Sequence, residues 1–184
     1  MIIDRPVMQT LDDHFLNDRM VAVNGVAAAG EVIVFPFRIQ HIVHIIVKSL
    51  EIDKVQFIIY HPPYWDIVKF SDDPQDLSNT TSLDDFLSSM GQVIDNTAPY
   101  LEKNRYCAIV IGDKYANSEI VPLGFYCMNL FMQRGFKLKA ILVKNFEETK
   151  GKSNQKAIWR YRALASDFYI FKHEYIMVFK KTKK

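Results

Sequence analysis

A histidine, two prolines and two aromatic residues stand together at the end of an apolar run, Phe57-Ile-Ile-Tyr-His61-Pro62-Pro63-Tyr64-Trp65. The short apolar run predicts a buried strand, and the two prolines end it because neither has the backbone N–H that a sheet requires. The prolines also stiffen the exit, so the rings of Tyr64 and Trp65 are presented just beyond the carboxyl end of the strand. Open α/β sheets bind their ligands at that edge. The pattern therefore predicts a rigid aromatic platform.

Two other interpretations of these residues stay open. The same tetrapeptide is typical of a stiff strand-to-loop exit whose aromatic residues pack on the core. It could also be a ligand of a WW domain, but that mode of recognition requires Pro-Pro-x-Tyr, and here Tyr64 follows the prolines directly.

A second candidate site is the segment 144–172, in which basic and aromatic residues are concentrated. It has seven Lys or Arg against three acidic residues. Cations that bind phosphates, combined with rings that stack on bases, are the composition of a nucleic-acid contact. The alternative is a solvated hairpin whose aromatic residues pack on the sheet. The candidate contact residues are Lys150, Lys152, Lys156, Trp159, Arg160 and Arg162.

The periodicity of the chain predicts the elements that position these groups. Apolar runs predict strands at residues 55–60, 106–111, 137–143 and 173–180. Helical spacing predicts one helix that is capped by Thr81 or Ser82 and runs until Pro99 loosens it, and a second that begins at Pro122 and stops at Gly135. This order predicts an α/β fold with a mostly parallel sheet and an antiparallel strand at its C-terminal end.

Two polar positions lie at the ends of these strands. Asp113 follows the strand 106–111 and is expected near the active cleft, at the carboxyl edge. The pair His173-Glu174 could serve as acid and base. Its place at the start of a strand favours a structural role instead, such as a hydrogen bond that holds the preceding segment.

The first fifty residues carry weaker signals. Residues 1–31 are interpreted as an N-terminal arm and connector, with a flexible stretch from Gly25 to Gly30. Residues 37–50 have the apolar spacing of a helix. His41 and His44 are three positions apart, but without a third ligand nearby a solvated helix edge is favoured over a metal site.

Composition bounds the class of protein. A chain of 184 residues with 49% hydrophobic and 24% charged residues predicts one globular domain. A net charge of +2 is too small to indicate nucleic-acid binding by itself. Cys107 and Cys127 lie in apolar surroundings without a metal-binding spacing, which is typical of a reduced, intracellular protein. With no signal peptide and no long apolar run, we expect a cytoplasmic protein without a membrane segment or metal.

The motif His61-Pro62-Pro63-Tyr64 resembles the Asp/Asn/Ser-Pro-Pro-Tyr motif of the DNA amino-methyltransferases, which methylate the exocyclic nitrogen of adenine or cytosine with S-adenosylmethionine. The resemblance implies a Rossmann-like methyltransferase fold. It also implies that His61 and the Pro62 carbonyl accept hydrogen bonds from the target amine, that Tyr64 stacks on the flipped base and that Trp65 walls the pocket. His61 and Asp113 are the implied cofactor contacts. Further segments match the family in order: Asp76-Leu77-Ser78-Asn79, Tyr106 to Asp113, Val121 to Phe125, Gly135-Phe136, Trp159 to Arg162, and Phe171 to Ile176.

The chain departs from the family pattern in two ways. Histidine replaces the first motif residue, and since an imidazolium accepts no hydrogen bond, activity would depend on tautomer and pH. Residues 1–54 contain no Asp-Pro-Phe-x-Gly-x-Gly loop, so the N-terminal cofactor half is expected to be shortened, and a second subunit could supply the loop. The alternatives are an inactive methyltransferase-like DNA-binding or partner subunit and an RNA methyltransferase.

Overall fold

A seven-stranded sheet is the framework of the protein. The computed structural model describes residues 53–116, 118–145 and 172–182, together with the backbone of 21–23, 26–29 and 32–35. The sheet has the order β1-β2-β3-β4-β5-β9-β8, and β6 and β7 form a separate hairpin. The strands are β1 Val21–Val23, β2 Val26–Ala29, β3 Val32–Phe35, β4 Val55–Tyr60, β5 Leu101–Ile111, β6 Lys114–Ala116, β7 Glu119–Val121, β8 Phe136–Asn145 and β9 His173–Lys181; the helices are α1 Leu83–Thr97 and α2 Leu123–Gln133.

The strand directions confirm the predicted α/β architecture. Neighbours β3, β4 and β5 are parallel. Strand β9 is antiparallel to both β5 and β8, so β8 points the same way as β5. In the described part of this sheet, five strands run in one direction: β1, β3, β4, β5 and β8. Only β2 and β9 run in the opposite direction. Strand β9 is not at the edge of the sheet. The connection from β5 through α2 to β8 leaves room for one strand between β5 and β8, and β9 lies there.

The N-terminal part of the sheet corrects one prediction. The stretch expected to be a flexible connector contains β2, which pairs antiparallel with β1 and β3. Valine and alanine can satisfy their backbone groups in a sheet ladder whatever glycines flank them. Strand β1 also lies within the predicted arm. The predicted helix at 37–50, with His41 and His44, and residues 1–20 lie outside the described residues.

Helix α1 begins and ends where its sequence dictates. The Ser82 hydroxyl accepts a hydrogen bond from the Asp85 N–H at 3.1 Å, which confirms one of the two predicted caps. The helix ends at Thr97, just before Pro99, and a 3₁₀ turn leads into β5. Leu101, two positions after Pro99, is the first residue of β5, since the proline prevents the helix from continuing.

The core lies between the sheet and the two helices, and Phe131 of α2 is near its centre. Its ring stacks on Phe179 at 4.6 Å and meets Tyr60 and Phe136 edge to face at 5.1 and 5.5 Å. The two cysteines are buried in the same cluster, as predicted. Burial raises the pKa of the Cys127 thiol to about 12, so it stays protonated and unreactive at neutral pH. Neither described helix is long and apolar enough to cross a membrane.

We predict that Phe131→Ala lowers the free energy of unfolding by about 3–5 kcal/mol, because a fully buried ring with three aromatic neighbours leaves a cavity when it is removed. Urea denaturation followed by circular dichroism measures the loss. Met132→Ala, on the same helix at a side chain that is 48% exposed, is the control and should stay within about 0.5 kcal/mol of the wild type. Similar losses in both variants would contradict the placement of the core.

Candidate active site

The strand ends bring the predicted groups to one edge of the sheet. Strands β4 and β5 finish there, immediately before His61 and Gly112-Asp113. Because β9 runs in the opposite direction, its first residues lie at this same edge, where Tyr175 pairs with Ile111. The carboxyl edge is where open α/β sheets bind ligands. His61, Asp113 and Glu174 are therefore neighbours at the edge, although they are far apart in sequence.

Tyr64 is fixed at both its ring and its hydroxyl. The hydroxyl donates a hydrogen bond to Glu174 Oε2 at 2.5 Å. The ring lies against Gly112, so close that a Cβ on that residue would be 2.9 Å from Tyr64 Cε2. Burial, reinforced by the Glu174 carboxylate, raises the pKa of the Tyr64 hydroxyl well above its usual value. The hydroxyl therefore remains protonated and donates this bond at physiological pH.

Glu174 is a buried carboxylate with a partner on each oxygen. Oε2 accepts from Tyr64, and Oε1 lies 3.4 Å from Lys144 Nζ on the adjacent strand β8. A buried carboxylate is stable only when it is hydrogen-bonded and its charge is balanced, and this one has both. The hydrogen bond predicted to hold the preceding segment stays a prediction, because residues 146–171 lie outside the described residues. The partner observed for Glu174 is Tyr64.

His61 is half-buried between these groups. Its ring centroid is 6.3 Å from that of Tyr64. Burial lowers the pKa of the imidazole; nearby Glu174 opposes this, and Lys144 adds to it. The net shift is downward from the ordinary value of 6.5, so the ring is neutral at pH 7 and one of its nitrogens can accept a hydrogen bond.

Trp65 has a constrained backbone and a fixed ring. It follows the two buried prolines and has a φ of 58°, in the left-handed region that a bulky residue adopts only when its surroundings hold it there. Its indole N–H donates to the Thr80 carbonyl at 3.2 Å. Lys114 Nζ lies 3.9 Å from the ring centroid and is also paired with Asp66. The predicted stiff exit from β4 is thus extended to Trp65 by contacts on both sides.

The loop after Trp65 is ordered around one buried carboxylate. Asp76 accepts hydrogen bonds from the Ser78 N–H at 2.9 Å and from the Ser71 hydroxyl at 2.6 Å. The Asn79 amide donates to the carbonyls of Ser71 and Asp73. These bonds fix the conformation of the loop. They also hold the chain before Thr80, the residue that receives the Trp65 indole.

Asp113 holds the start of α2. Its Oδ1 accepts from the Gly124 N–H at 3.0 Å and its Oδ2 from the Tyr175 hydroxyl at 3.1 Å. Successive residues of a strand point to opposite faces, so Tyr175 faces α2 whereas Glu174 faces the other side, where Tyr64 lies. The structure therefore places Asp113 at the predicted edge but on the α2 side. Its contact with a cofactor stays a prediction.

The nucleic-acid contacts predicted from Lys150 to Arg162 lie outside the described residues and stay predictions. Lys144, at the start of that segment, is described and is next to Glu174. No three His, Cys, Asp or Glu side chains within the described part of the chain are grouped as metal ligands would be.

The partners that fix Tyr64, namely Gly112 and Glu174, were not predicted from the sequence. For Glu174, the indication in the sequence was its position at the start of the predicted strand 173–180.

We predict that Gly112→Ala lowers the free energy of unfolding by about 1–3 kcal/mol, because the added methyl would overlap the Tyr64 ring. The control is the same change in a Tyr64→Ala background, where the Tyr64 ring no longer opposes the added methyl. Urea denaturation of the two single variants and the double variant is the measurement. An equal loss from Gly112→Ala in both backgrounds would contradict the packing of Tyr64 on Gly112.

Several solved structures resemble this chain. TTHA0409 of Thermus thermophilus, provisionally named a DNA modification methylase, has a TM-score of 0.49 and 17% identity over 76% of this chain and 51% of that chain. The same protein complexed with S-adenosyl-L-methionine has a TM-score of 0.49, 17% identity, and coverages of 76% and 52%. The M1.HpyAVI–SAM complex has a TM-score of 0.44, 14% identity, and coverages of 82% and 55%. The chain spans about half the length of these proteins.

No curated protein matches the chain significantly. A family model, that of the N6/N4 DNA methylases ("DNA methylase"), matches residues 55–184. The matched residues include β4, the edge built by His61, Tyr64 and Glu174, and every later element. The match spans well over half of the chain. The chain therefore belongs to the DNA methylase family.

Proposed function

We propose that the chain acts as an S-adenosylmethionine-dependent DNA methyltransferase on the exocyclic amino group of adenine or cytosine. One observation carries the proposal: at the carboxyl end of β4, a neutral acceptor at His61 is followed, after two buried prolines, by a tyrosine ring that is fixed by its hydroxyl. Membership of the DNA methylase family supports the reaction class.

The polar part of the site suits an aromatic amine. An exocyclic amine conjugated to its ring is a poor nucleophile, so the site must accept hydrogen bonds from it. The neutral His61 imidazole and the Pro62 carbonyl are the two proposed acceptors. The Pro62 side chain is buried, its φ is fixed by its ring and its ψ is restricted by the following Pro63, so its carbonyl would not need to be ordered when a base enters.

The aromatic part of the site suits a flipped base. A base taken out of the duplex loses its stacking, which an aromatic side chain can replace. With one side of the Tyr64 ring against Gly112, the proposed stacking surface is the opposite side. Trp65 would form the wall of the pocket, at an orientation fixed by Thr80 and Lys114.

S-adenosylmethionine, when bound, supplies a methyl group on a positively charged sulfur. The described residues suit such a cofactor in one respect: β3 lies parallel beside β4, with Phe35 paired to Tyr60, so a second carboxyl end opens next to His61. In the transfer, the methyl carbon would pass from sulfur to the target nitrogen, and the proton released by that nitrogen would pass to water. His61 and Asp113 are the proposed cofactor contacts, and Lys150, Lys152, Lys156, Trp159, Arg160 and Arg162 the proposed DNA contacts.

A second candidate is a non-catalytic DNA-binding or partner subunit. The observation that favours it is that His61 stands where the family motif has Asp, Asn or Ser. DNA binding that weakens steeply with salt, without methyl transfer until a second chain is added, would favour this candidate. Parallel transfer assays on DNA and RNA separate the proposed function from RNA methylation.

We predict that Tyr64→Ala reduces methyl transfer to unmethylated plasmid DNA by about 5- to 150-fold, since base–aromatic stacking is worth about 1–3 kcal/mol. Transfer of a radiolabelled methyl group measures the loss. Tyr126→Ala, at a 38% exposed ring on α2, is the control and should keep full activity. Unchanged transfer by Tyr64→Ala would contradict the stacking role.

We predict that transfer depends on pH through His61. Because the pKa of His61 is lowered from 6.5, the neutral acceptor predominates at pH 7 and is lost as the pH falls through that lowered value. A rate–pH profile should therefore be flat around neutrality and decline in acid. In His61→Asn, whose amide carbonyl accepts without titrating, that acid decline should disappear. An identical decline in both proteins would show that another group titrates.

A further inference from the structure

Tyr64 reaches across the sheet to a strand that follows it by more than a hundred positions. It leaves β4 after the two prolines, its ring lies on Gly112 after β5, and its hydroxyl ends on Glu174 of β9. A tyrosine side chain has two rotatable bonds, and contact with Gly112 on one side restricts the ring without fixing its tilt. The hydrogen bond at the far end of the ring fixes the remaining freedom.

We propose that Glu174 is a positioning residue of the methyl-transfer site, which holds the Tyr64 ring through its hydroxyl at the orientation that receives the target base. The inference rests on the function proposed above and deepens it. Glu174 itself touches neither base nor cofactor in this account. At neutral pH its effect on transfer is exerted through Tyr64. The Glu174 charge also raises the pKa of His61, but removing that charge would lower this pKa further and leave the imidazole neutral.

The surroundings of Glu174 suit this role. It belongs to β9, which is flanked by β5 and β8 and so has little freedom to move. Its side chain is only 9% exposed, and the Lys144 ammonium at 3.4 Å compensates its charge. A carboxylate acceptor also makes the bond to a hydroxyl shorter and stronger than a neutral acceptor would. The 2.5 Å distance to Tyr64 is in the range of such charge-assisted bonds.

The rival explanation is that the bond only stabilises the fold. Four variants separate the two: Glu174→Ala, Glu174→Gln, Tyr64→Phe and the double variant Tyr64→Phe/Glu174→Ala. Tyr64→Phe removes a single hydroxyl and keeps the aromatic face, so it tests the contact even if Glu174→Ala fails to fold. Glu174→Gln retains a carbonyl acceptor and is the conservative rescue.

The measurement is steady-state methyl transfer from radiolabelled S-adenosylmethionine to unmethylated plasmid DNA. We expect Tyr64→Phe and Glu174→Ala each to lower kcat by about 10- to 100-fold, the scale of a lost orienting contact, with KM for S-adenosylmethionine unchanged. The double variant should be no slower than the slower single variant, and Glu174→Gln should recover to within about threefold of the wild type. Multiplying losses, or a loss in Glu174→Ala with none in Tyr64→Phe, would overturn the proposal.

A second readout separates this proposal from the function on which it rests. In protein labelled with 3-fluorotyrosine, the Tyr64 signal is identified by its loss in Tyr64→Phe. We expect a dispersed ¹⁹F signal for Tyr64 in the wild type. If it moves to the position of an unstructured tyrosine in Glu174→Ala and returns in Glu174→Gln, Glu174 positions the Tyr64 ring. An unmoved signal overturns the proposal. Absence of transfer by the wild type on DNA would contradict the proposed function, while the fluorine signal still decides whether Glu174 orders Tyr64.

Discussion

The bond between the Tyr64 hydroxyl and the Glu174 carboxylate joins two parts of the chain that are 110 residues apart. It can form only because β9 enters the sheet antiparallel, between β5 and β8, which brings its first residues to the edge where β4 ends. A parallel strand in the same slot would have placed Glu174 at the opposite edge. The geometry of the candidate site therefore depends on β9, which runs antiparallel to both of its neighbours.

Two other buried carboxylates work at the same edge in the same way. Asp76 closes the loop that leads to Thr80 and hence to the Trp65 indole, and Asp113 anchors the first turn of α2. Burying a carboxylate is costly unless its oxygens are satisfied, and within the described residues no buried side-chain nitrogen or oxygen is without a partner. Asp76 closes a loop on itself, whereas Asp113 joins the end of β5 to α2 and Glu174 joins β9 to the segment after β4. Together they make the edge rigid before any ligand arrives.

The sequence was sufficient for the local features of this structure. The apolar run before His61 predicted β4 with its observed bounds, and Ser82 was one of two predicted caps for α1. These features depend on a few neighbouring residues: prolines that cannot donate, and a hydroxyl that can accept from the first turn. The carboxyl-edge position of Asp113 followed from the same reasoning, because strand ends are local signals.

The features that could not be predicted from the sequence depend on residues far apart in the chain. The position of β9 between β5 and β8 depends on the connection through α2, and nothing in the residues of β9 specifies it. The pairing of Tyr64 with Glu174 depends in turn on the register of β9. The hairpin β6–β7 and the strand β2 were missed because their residues are short runs with little periodicity.

The central claim is that this edge carries out methyl transfer from S-adenosylmethionine to DNA. Calorimetric titration of the purified chain with S-adenosylmethionine, alone and with a short mixed-sequence DNA duplex, tests it most directly. The account predicts saturable binding of the cofactor whose affinity is raised by the duplex. No heat of binding in either titration would contradict it and would favour a subunit that requires a partner chain.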